Sequence, residues 1–282
     1  MHTLSVPTAG DRLDDRDRDE VGEICAALTL EAGPAVMEVY GRGCYVRRKA
    51  DASPVCEADE RAEGIILEGL RRRLPGVAVV AEESASRGDT PAPCDRFILV
   101  DPLDGTREFL NHNGEFTLNI ALVKEGVPVA GAVYAPAIAR LWYAGHHAFA
   151  CEATPGAALP GRSVVRPIHA RPAPANGLVA IASRSHADPQ TEAFLERLPI
   201  GERRCAGSSL KFCLLAQGEA DVYPRFGPTM EWDTAAGEAV LRAAGGTVEG
   251  CDHRPFKYGK SKAQYRNGGF IAWGDPERAR ML

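Results

Sequence analysis

The chain has 282 residues, enough for one large domain or two packed lobes, and its 45% hydrophobic and 25% charged residues are typical of soluble proteins. A formal net charge of -5 argues against a general nucleic-acid-binding surface, and we find no apolar run long enough for a transmembrane helix. Residues 1–20 are rich in Asp and Arg, which excludes a secretory signal and predicts a disordered N-terminal segment in a cytoplasmic protein.

The cysteines give a second exclusion. Eight are present, without a C-x-x-C pair and without histidines at zinc-finger spacing. We therefore expect free thiols, as a reducing cytosol favours.

The N-terminal part begins with two predicted helices. Apolar residues at helical spacing from Val21 predict a long first helix, and Pro34 predicts a kink or a break in it because proline lacks an amide donor. A short extended piece, 53–59, leads into a second helix that Gly76 ends. Strands or hairpins are then predicted at 77–80, 97–99, 116–134 and 141–150.

Residues 152–177 are rich in Pro, Ala, Gly and Arg, and we place the connection between two lobes, 21–151 and 178–282, in this segment. Predicted strands and helices alternate in the second lobe, which indicates an α/β fold. Its strands are predicted at 178–182, 203–205, 220–223 and 246–249, and its helices at 189–198, 209–217 and 234–244.

Two carboxylates follow the buried strand at 97–99. Pro102 and Gly105 predict a tight turn that crowds Asp101 and Asp104 into one small volume. Like charges so close repel unless a cation lies between them, and a site with oxygen donors alone suits a hard ion such as Mg²⁺. An Asp-Pro turn with a helix cap is the alternative interpretation.

A third carboxylate precedes the Ala-rich helix of the second lobe. Asp233 is predicted at or next to the N-cap of that helix, a position that Asp favours for structural reasons alone. The positive end of the helix dipole also stabilises anions, and the same carboxylate can reach outward to a metal ion. Both interpretations stay open from this residue by itself.

The motifs together resemble a known family. Asp101-Pro102-Leu103-Asp104-Gly105-Thr106 is similar to the D-P-[IL]-D-G-T signature of the lithium-sensitive, Mg²⁺-dependent inositol-monophosphatase superfamily, and Trp232-Asp233-x-Ala-x-Gly resembles its second signature. Glu82-Glu83 and Asp59 stand where that family keeps acidic residues. From about residue 21 to the C-terminus, the chain resembles the CysQ branch, the 3'(2'),5'-bisphosphate nucleotidases. The segments that carry this finer likeness are 107–109, 113–117, 183–188, 207–212 and 223–229.

The resemblance implies an α/β fold of the layered αβαβα sandwich type, with most metal ligands in the first lobe and substrate recognition in the second. It implies two or three Mg²⁺ ions per active site. The metal ligands would be Glu82, Asp101, the carbonyl of Leu103, Asp104 and Asp233, and the catalytic residues Asp59, Thr106 and Glu82. Thr106 and Asp59 would orient and deprotonate the attacking water. Glu238 departs from the family, because the relatives carry His there.

A bisphosphate substrate has a second phosphate, which needs donors away from the metals. The implied substrate-binding residues are Gly105, Thr106, His186, Ser208, Lys211, Arg225 and Asp233. Ser208 is predicted at the start of a helix, where its hydroxyl and the free N–H groups suit a phosphate, and Arg225 could bind it bidentately. The alternatives are a helix cap for His186 and a solvated face residue for Lys211.

Three functions compete. The favoured one is removal of the 3'-phosphate of adenosine 3',5'-bisphosphate in sulfur assimilation, giving AMP and phosphate. The second is an inositol or sugar-phosphate phosphatase with the same metals, and the third is an RNA- or polymerase-associated binding protein on this fold. The acidic composition argues against a nucleic-acid partner. The resemblance leaves open a weak peripheral attachment to the cytoplasmic face of the inner membrane, and the oligomeric state is left open.

Overall fold

A computed structural model of the chain describes residues 18–43, 47–48, 54–183 and 188–281, without the side chains of residues 47, 48, 54 and 55. Its helices are α1 (Arg18–Arg42), α2 (Glu57–Arg73), α3 (Glu82–Ser86), α4 (Thr106–Leu110), α5 (Pro189–Leu195), α6 (Leu210–Ala216), α7 (Glu231–Ala243) and α8 (Pro276–Ala279). Short 3-10 turns lie at Pro136–Ile138 and Ser261–Ala263.

The strands are β1 (Arg47–Arg48), β2 (Pro54–Val55), β3 (Ala78–Ala81), β4 (Arg96–Asp104), β5 (Thr117–Lys124), β6 (Val127–Ala135), β7 (Arg140–Ala144), β8 (Ala148–Glu152), β9 (Arg166–Pro167), β10 (Leu178–Ser183), β11 (Ile200–Ala206), β12 (Val222–Arg225), β13 (Thr229–Met230), β14 (Thr247–Gly250), β15 (Arg266–Asn267) and β16 (Phe270–Trp273). The helices and strands expected from the sequence are therefore confirmed, with boundaries that shift by a few residues.

The first helix is continuous through Pro34, so a break there, one of the two predicted outcomes, is wrong, and a kink stays a prediction. Because Pro34 has no amide N–H, the carbonyl of Leu30 one turn earlier lacks its helical donor. The backbone N–H of Gly156 donates to that carbonyl at 2.9 Å and replaces the missing bond. Gly156 has a φ of +80°, and a Cβ there would lie 2.9 Å from Cγ of Pro34, so this close approach needs glycine.

A seven-stranded sheet, in the order β3-β4-β5-β6-β7-β8-β9, forms one layer, with β3 and β4 parallel and every other pair antiparallel. Successive residues of β4 enter different cores because side chains alternate along a strand. Ile98 and Val100 pack with α1 and α2, whereas Phe97 and Leu99 join the core that holds α6 and α7. Helices thus cover both faces of this sheet.

A five-stranded sheet, in the order β11-β10-β12-β16-β14, forms the other β layer. Its β10 residues Val179 and Ile181 face the α6 and α7 core, and Leu178 and Ala180 pack with Leu195 of α5 on the outer side. The layers therefore run helix, sheet, helix, sheet, helix, which confirms the predicted αβαβα sandwich.

The segment between the sheets is more ordered than its composition indicates. The predicted connection 152–177 contains β9, which pairs with β8 at the edge of the seven-stranded sheet. The division into two lobes stays a prediction. At the other end, α1 begins at Arg18, so the last three residues of the predicted disordered segment are helical.

The structure bears on two further expectations, free cysteine thiols and the lack of a transmembrane helix, for the described residues only. The seven cysteines among them are free thiols, and Cys44 lies outside that part. No helix in the described part of the chain is long and apolar enough to cross a membrane.

Candidate active site

A cavity of about 280 Å³ opens where the ends of β3 and β4 meet the N-terminal ends of α6 and α7 and the strand β12. Eight of the predicted site residues line it: Glu82, Asp104, Gly105, Thr106, Ser208, Lys211, Arg225 and Asp233. Asp59 and Asp101 are buried, each 1% exposed. His186 lies outside the described residues. The structure thus brings together side chains up to about 150 positions apart in sequence.

The end of β4 differs from the predicted turn, because the strand continues through Pro102 to Asp104. Its pairing with β5 shifts between Asp101 and Asp104, which stand opposite Asn119 and Thr117. This bulge places Pro102 where no ladder donor is required. The backbone N–H of Leu103 donates to Oδ1 of Asp101 at 3.0 Å, which fixes that carboxylate in the bulge.

Gly105 lies between β4 and α4, where its backbone packs closely against Ser208 of the β11–α6 loop. It has a φ of +88°, and a Cβ at this position would lie 2.1 Å from Oγ of Ser208. Any side chain here would therefore push the β11–α6 loop away from the strand end. Thr106 follows as the first residue of α4 and faces the cavity.

Glu82 begins α3 directly after β3, so the acidic pair stands at a strand end, as predicted. Glu63 of α2 holds this corner, because its carboxylate accepts bonds from the Glu83 N–H at 2.8 Å and from Oγ of Ser84 at 2.7 Å. The sequence analysis missed Glu63. Its position four residues after Asp59, on the same helix face, is the signal that could have found it.

Asp59 is the third residue of α2, and its Oδ2 accepts the Cys56 N–H at 3.0 Å. Burial raises the pKa of Asp59 to about 7, the Cys56 N–H opposes that rise, and the charges of Glu83 and Glu82 add to it. A carboxyl group with a pKa near neutrality is suited to accept a proton from water.

Asp233 is the third residue of α7 and not its N-cap, because the helix begins at Glu231, three residues before the predicted start at 234. Its Oδ2 accepts the N–H of Met230 at 2.8 Å. The early start is stabilised by the buried Glu231, whose carboxylate accepts the N–H groups of Gly259 and Lys260 at 2.8 and 2.9 Å.

Two cationic side chains, Lys211 and Arg225, line the same cavity. Lys211 is 5% exposed, so the alternative of a solvated face residue is wrong, and its Nζ donates to the carbonyl of Ser208 at 2.6 Å. Burial lowers the pKa of Lys211 to about 8, against the opposing effect of Asp104. The guanidinium of Arg225 donates to the carbonyls of Gly227 and Pro228, both at 3.3 Å.

The Ser208 hydroxyl, predicted to contact a substrate phosphate, is already within hydrogen-bond distance of two backbone carbonyls. Its Oγ lies 2.9 Å from the carbonyl oxygen of Asp104 and 2.8 Å from that of Glu115. Ser208 also precedes α6 by two residues and has a φ of +49°. The predicted hydroxyl contact to a phosphate would compete with these internal bonds.

Comparison with known proteins identifies the architecture. A model described as the inositol monophosphatase family matches residues 17–275. The chain belongs to this family. Among its relatives, the 3'(2'),5'-bisphosphate nucleotidase CysQ of Escherichia coli K12 is 42% identical over 88% of this chain and 97% of the relative. The Buchnera aphidicola protein of the same name is 37% identical over 90% of this chain and 94% of its own length.

Solved structures agree. CysQ of Bacteroides thetaiotaomicron, described as a bacterial member of the inositol monophosphatase family, superposes with a TM-score of 0.75 at 36% identity, covering 90% of this chain and 97% of its own. An inositol monophosphatase from Anabaena has a TM-score of 0.69 at 24% identity, covering 93% and 96% of the two chains, which shows the shared fold. The inositol monophosphatase family comprises metal-dependent phosphatases that generally use Mg²⁺.

The donor set fits such a metal. The side chains at the strand ends offer carboxylate oxygens, the ligands that Mg²⁺ prefers. Oγ1 of Thr117 and Oδ1 of Asn119 stand opposite the β4 bulge and are buried with no hydrogen-bond partner among the described residues. Among the described residues, no group of three or more His, Cys, Asp or Glu side chains is arranged so that it could hold a metal ion. The carboxylates therefore line one cavity but do not form a complete coordination sphere.

The raised pKa values of the buried carboxylates indicate that the site has too little positive charge to balance them. Burial raises the pKa of Asp101 well above its ordinary value, and the charges of Glu82 and Asp104 raise it further. The pKa of Asp233 is raised likewise, first by burial and then by Asp104 and Glu82. Burial raises the pKa of Asp104 to about 6, although Lys211 and a hydrogen bond from Ser209 oppose the shift. Bound cations would relieve this repulsion.

Without Mg²⁺, the protein should be more stable at about pH 5.5 than at about pH 8. The folded pKa values of Asp104 and Asp59, about 6 and about 7, both exceed the ordinary Asp value of 3.8. A carboxyl group with a raised folded pKa contributes stability that is full below its unfolded pKa and is lost as the pH rises through the folded pKa. The free energy of unfolding should therefore fall from about pH 4 to about pH 7.

Urea unfolding in a chelator at the two pH values measures this difference. Lys211 works in the opposite sense, since its pKa is lowered to about 8, so its unfavourable charging disappears only above that pH. Saturating Mg²⁺ should remove most of the pH dependence. An equal or higher free energy of unfolding at the higher pH, without metal, would contradict the assignment of these shifts.

Proposed function

We propose that this protein is a Mg²⁺-dependent 3'(2'),5'-bisphosphate nucleotidase that hydrolyses adenosine 3',5'-bisphosphate to AMP and phosphate, in sulfur assimilation. One observation carries the proposal: carboxylates and the two cationic side chains Lys211 and Arg225 line a single cavity. A monophosphate needs only the carboxylates and the metals they would hold, whereas a bisphosphate also needs the cations. The names of the CysQ relatives support the same substrate class.

The residues proposed to hold two or three Mg²⁺ ions are Glu82, Asp101, the Leu103 carbonyl, Asp104 and Asp233. When bound, the ions would polarise the phosphate ester, lower the pKa of a bound water and shield the charge on the leaving oxygen. The chain's own contribution is to fix these oxygens: the β4 bulge holds Asp101, and the N–H of Met230 holds Asp233.

Asp59 and Thr106 are proposed to prepare the attacking water. The pKa of about 7 for Asp59 suits a group that accepts a proton near neutral pH. Thr106 offers a hydroxyl at the first position of α4, at the cavity wall. Glu82 completes the proposed catalytic set from the neighbouring strand end.

The substrate phosphates would meet two kinds of donor. All six proposed substrate-binding residues in the described part of the chain line the cavity. We assign the reacting phosphate to Gly105, Thr106 and Asp233, and the second phosphate to Ser208, Lys211 and Arg225. The ammonium of Lys211 is already tied to backbone carbonyls, so we assign it chiefly an electrostatic role. Arg225 is the better direct ligand because its fork can bind a phosphate bidentately. His186 keeps its predicted role in this proposal.

Mg²⁺-dependent phosphate release across a panel of esters tests the proposal. The panel contains adenosine 3',5'-bisphosphate, 3'-AMP, inositol 1-phosphate and fructose 1,6-bisphosphate, and we expect the highest kcat/KM for the first. A preference for inositol 1-phosphate would favour the second candidate function. A salt-sensitive RNA complex without phosphate release would favour the binding protein. Cytoplasmic location and weak peripheral membrane attachment stay predictions outside this test, and the sequence predicts no oligomeric state.

A further inference from the structure

We propose that Ser209 is a positioning residue that holds the carboxylate of Asp104 beside the start of α7, and so sets the Mg²⁺ affinity of the site. The inference deepens the proposed function and rests on it only in assigning Asp104 and Asp233 to the metals. The neighbouring Ser208 was the serine that the sequence indicated, and the two hydroxyls have different surroundings.

Ser209 is 1% exposed and stands where three elements meet. Its Oγ lies 3.1 Å from Oδ2 of Asp104 at the end of β4 and 2.8 Å from the carbonyl oxygen of Asp233 in α7. Nδ2 of Asn119, on β5, donates to the same Oγ at 3.0 Å. One hydroxyl oxygen therefore lies within hydrogen-bond distance of groups on β4, on β5 and on α7, the helix that carries Asp233.

Asn119 decides how the hydroxyl is oriented. The amide N–H of Asn119 occupies one lone pair of the Ser209 oxygen, so the single hydroxyl proton must point toward Asp104 or the Asp233 carbonyl. Both acceptors belong to residues proposed as metal ligands, and donation to the Asp104 carboxylate is charge-assisted. Asn119 is itself 1% exposed, and its pairing opposite Asp101 fixes its position in the sheet.

Ser208 cannot perform the same task. Its hydroxyl bonds the backbone carbonyls of Asp104 and Glu115, which fixes the loop but not a carboxylate. Groups that hold a ligating side chain from behind, as Ser209 holds Asp104, typically change metal affinity about 10- to 100-fold when removed.

Ser209→Ala removes the hydroxyl and keeps the small side chain. Calorimetric titration of the metal-free full chain with Mg²⁺ should give a Kd at least about 10-fold weaker than wild type. Thr29→Val is the matched control, because Thr29 is 0% exposed and its hydroxyl donates to the Ala26 carbonyl at 2.8 Å within α1. The control should lose stability and keep the wild-type Mg²⁺ Kd.

Asn119→Leu provides a second variant that leaves Ser209 in place and removes its orienting donor. We expect a smaller loss of Mg²⁺ affinity than in Ser209→Ala, and no further loss when the two changes are combined, since they break one chain of contacts. Additive losses, or a wild-type Kd in Ser209→Ala, would overturn the proposal.

The failure of this inference is distinguishable from failure of the proposed function. A wild-type protein that binds Mg²⁺ but releases no phosphate from adenosine 3',5'-bisphosphate overturns the nucleotidase, while the comparison of Kd values still decides the role of Ser209. A wild-type protein that binds no Mg²⁺ at millimolar concentration overturns the metal assignment of Asp104 and Asp233, and this proposal with it.

Discussion

Asp104→Asn should fold normally and lose nearly all turnover at saturating Mg²⁺, with kcat lower by about 1,000-fold. The magnitude follows because a metal's stabilisation of the transition state is worth several kcal/mol, and each 1.4 kcal/mol corresponds to about tenfold in rate. Asparagine keeps the shape of the side chain and can still accept the hydrogen bond from Ser209. The change therefore removes charge and little else.

The same variant should be more stable than wild type when Mg²⁺ is absent at about pH 8. Asp104 is ionised there, since its pKa is about 6, and its charge repels Glu108 and Glu82 in a buried site. Phosphate-release assays at saturating Mg²⁺ measure kcat, and urea unfolding in the presence of a chelator measures the free energy of unfolding. Asp89→Asn, at an exposed position, is the control and should change neither. A kcat close to wild type in Asp104→Asn would refute the metal assignment.

The strand ends were predictable because they depend on local patterns. The apolar run 97–99 followed by Asp101 and Asp104, and the run 77–80 followed by Glu82, are signals within a few residues of sequence. The alternating elements of the second lobe gave its fold class for the same reason. Local signals misled at Pro34, where α1 continues and the distant Gly156 donates to the Leu30 carbonyl that the proline leaves without its helical donor.

The supporting contacts were not predictable, because they join residues far apart in the chain. Ser209 and Asn119 are 90 positions apart, and Glu63 and Glu83 are 20 apart. Lys211 illustrates the same limit on burial: the sequence left a solvated face residue open as the alternative to a substrate-binding one, yet the fold leaves Lys211 only 5% exposed. Which serine of the pair faces a carboxylate depends on the backbone of the β11–α6 loop, where Ser208 has a φ of +49°.

Arg225→Ala should raise the KM for adenosine 3',5'-bisphosphate by about 10- to 100-fold, with a much smaller change in kcat. The size corresponds to the loss of a charge-assisted bidentate contact of roughly 1.5 to 3 kcal/mol. Arg225 ends β12 and lines the cavity together with Lys211 and Tyr223. The metals do not need this cation, so its loss should be felt through the second phosphate alone.

The substrate 3'-AMP makes the comparison internal. It lacks the 5'-phosphate, so its KM should be nearly unchanged in Arg225→Ala, and a general folding defect cannot produce that difference. Arg225→Lys keeps the charge without the planar fork and should fall between the two. Arg203→Ala removes an exposed arginine of the same five-stranded sheet, paired with Glu192, and should leave both KM values as in wild type. Equal losses for both substrates in Arg225→Ala would make Arg225 structural, through its bonds to the Gly227 and Pro228 carbonyls, and would place the 5'-phosphate elsewhere.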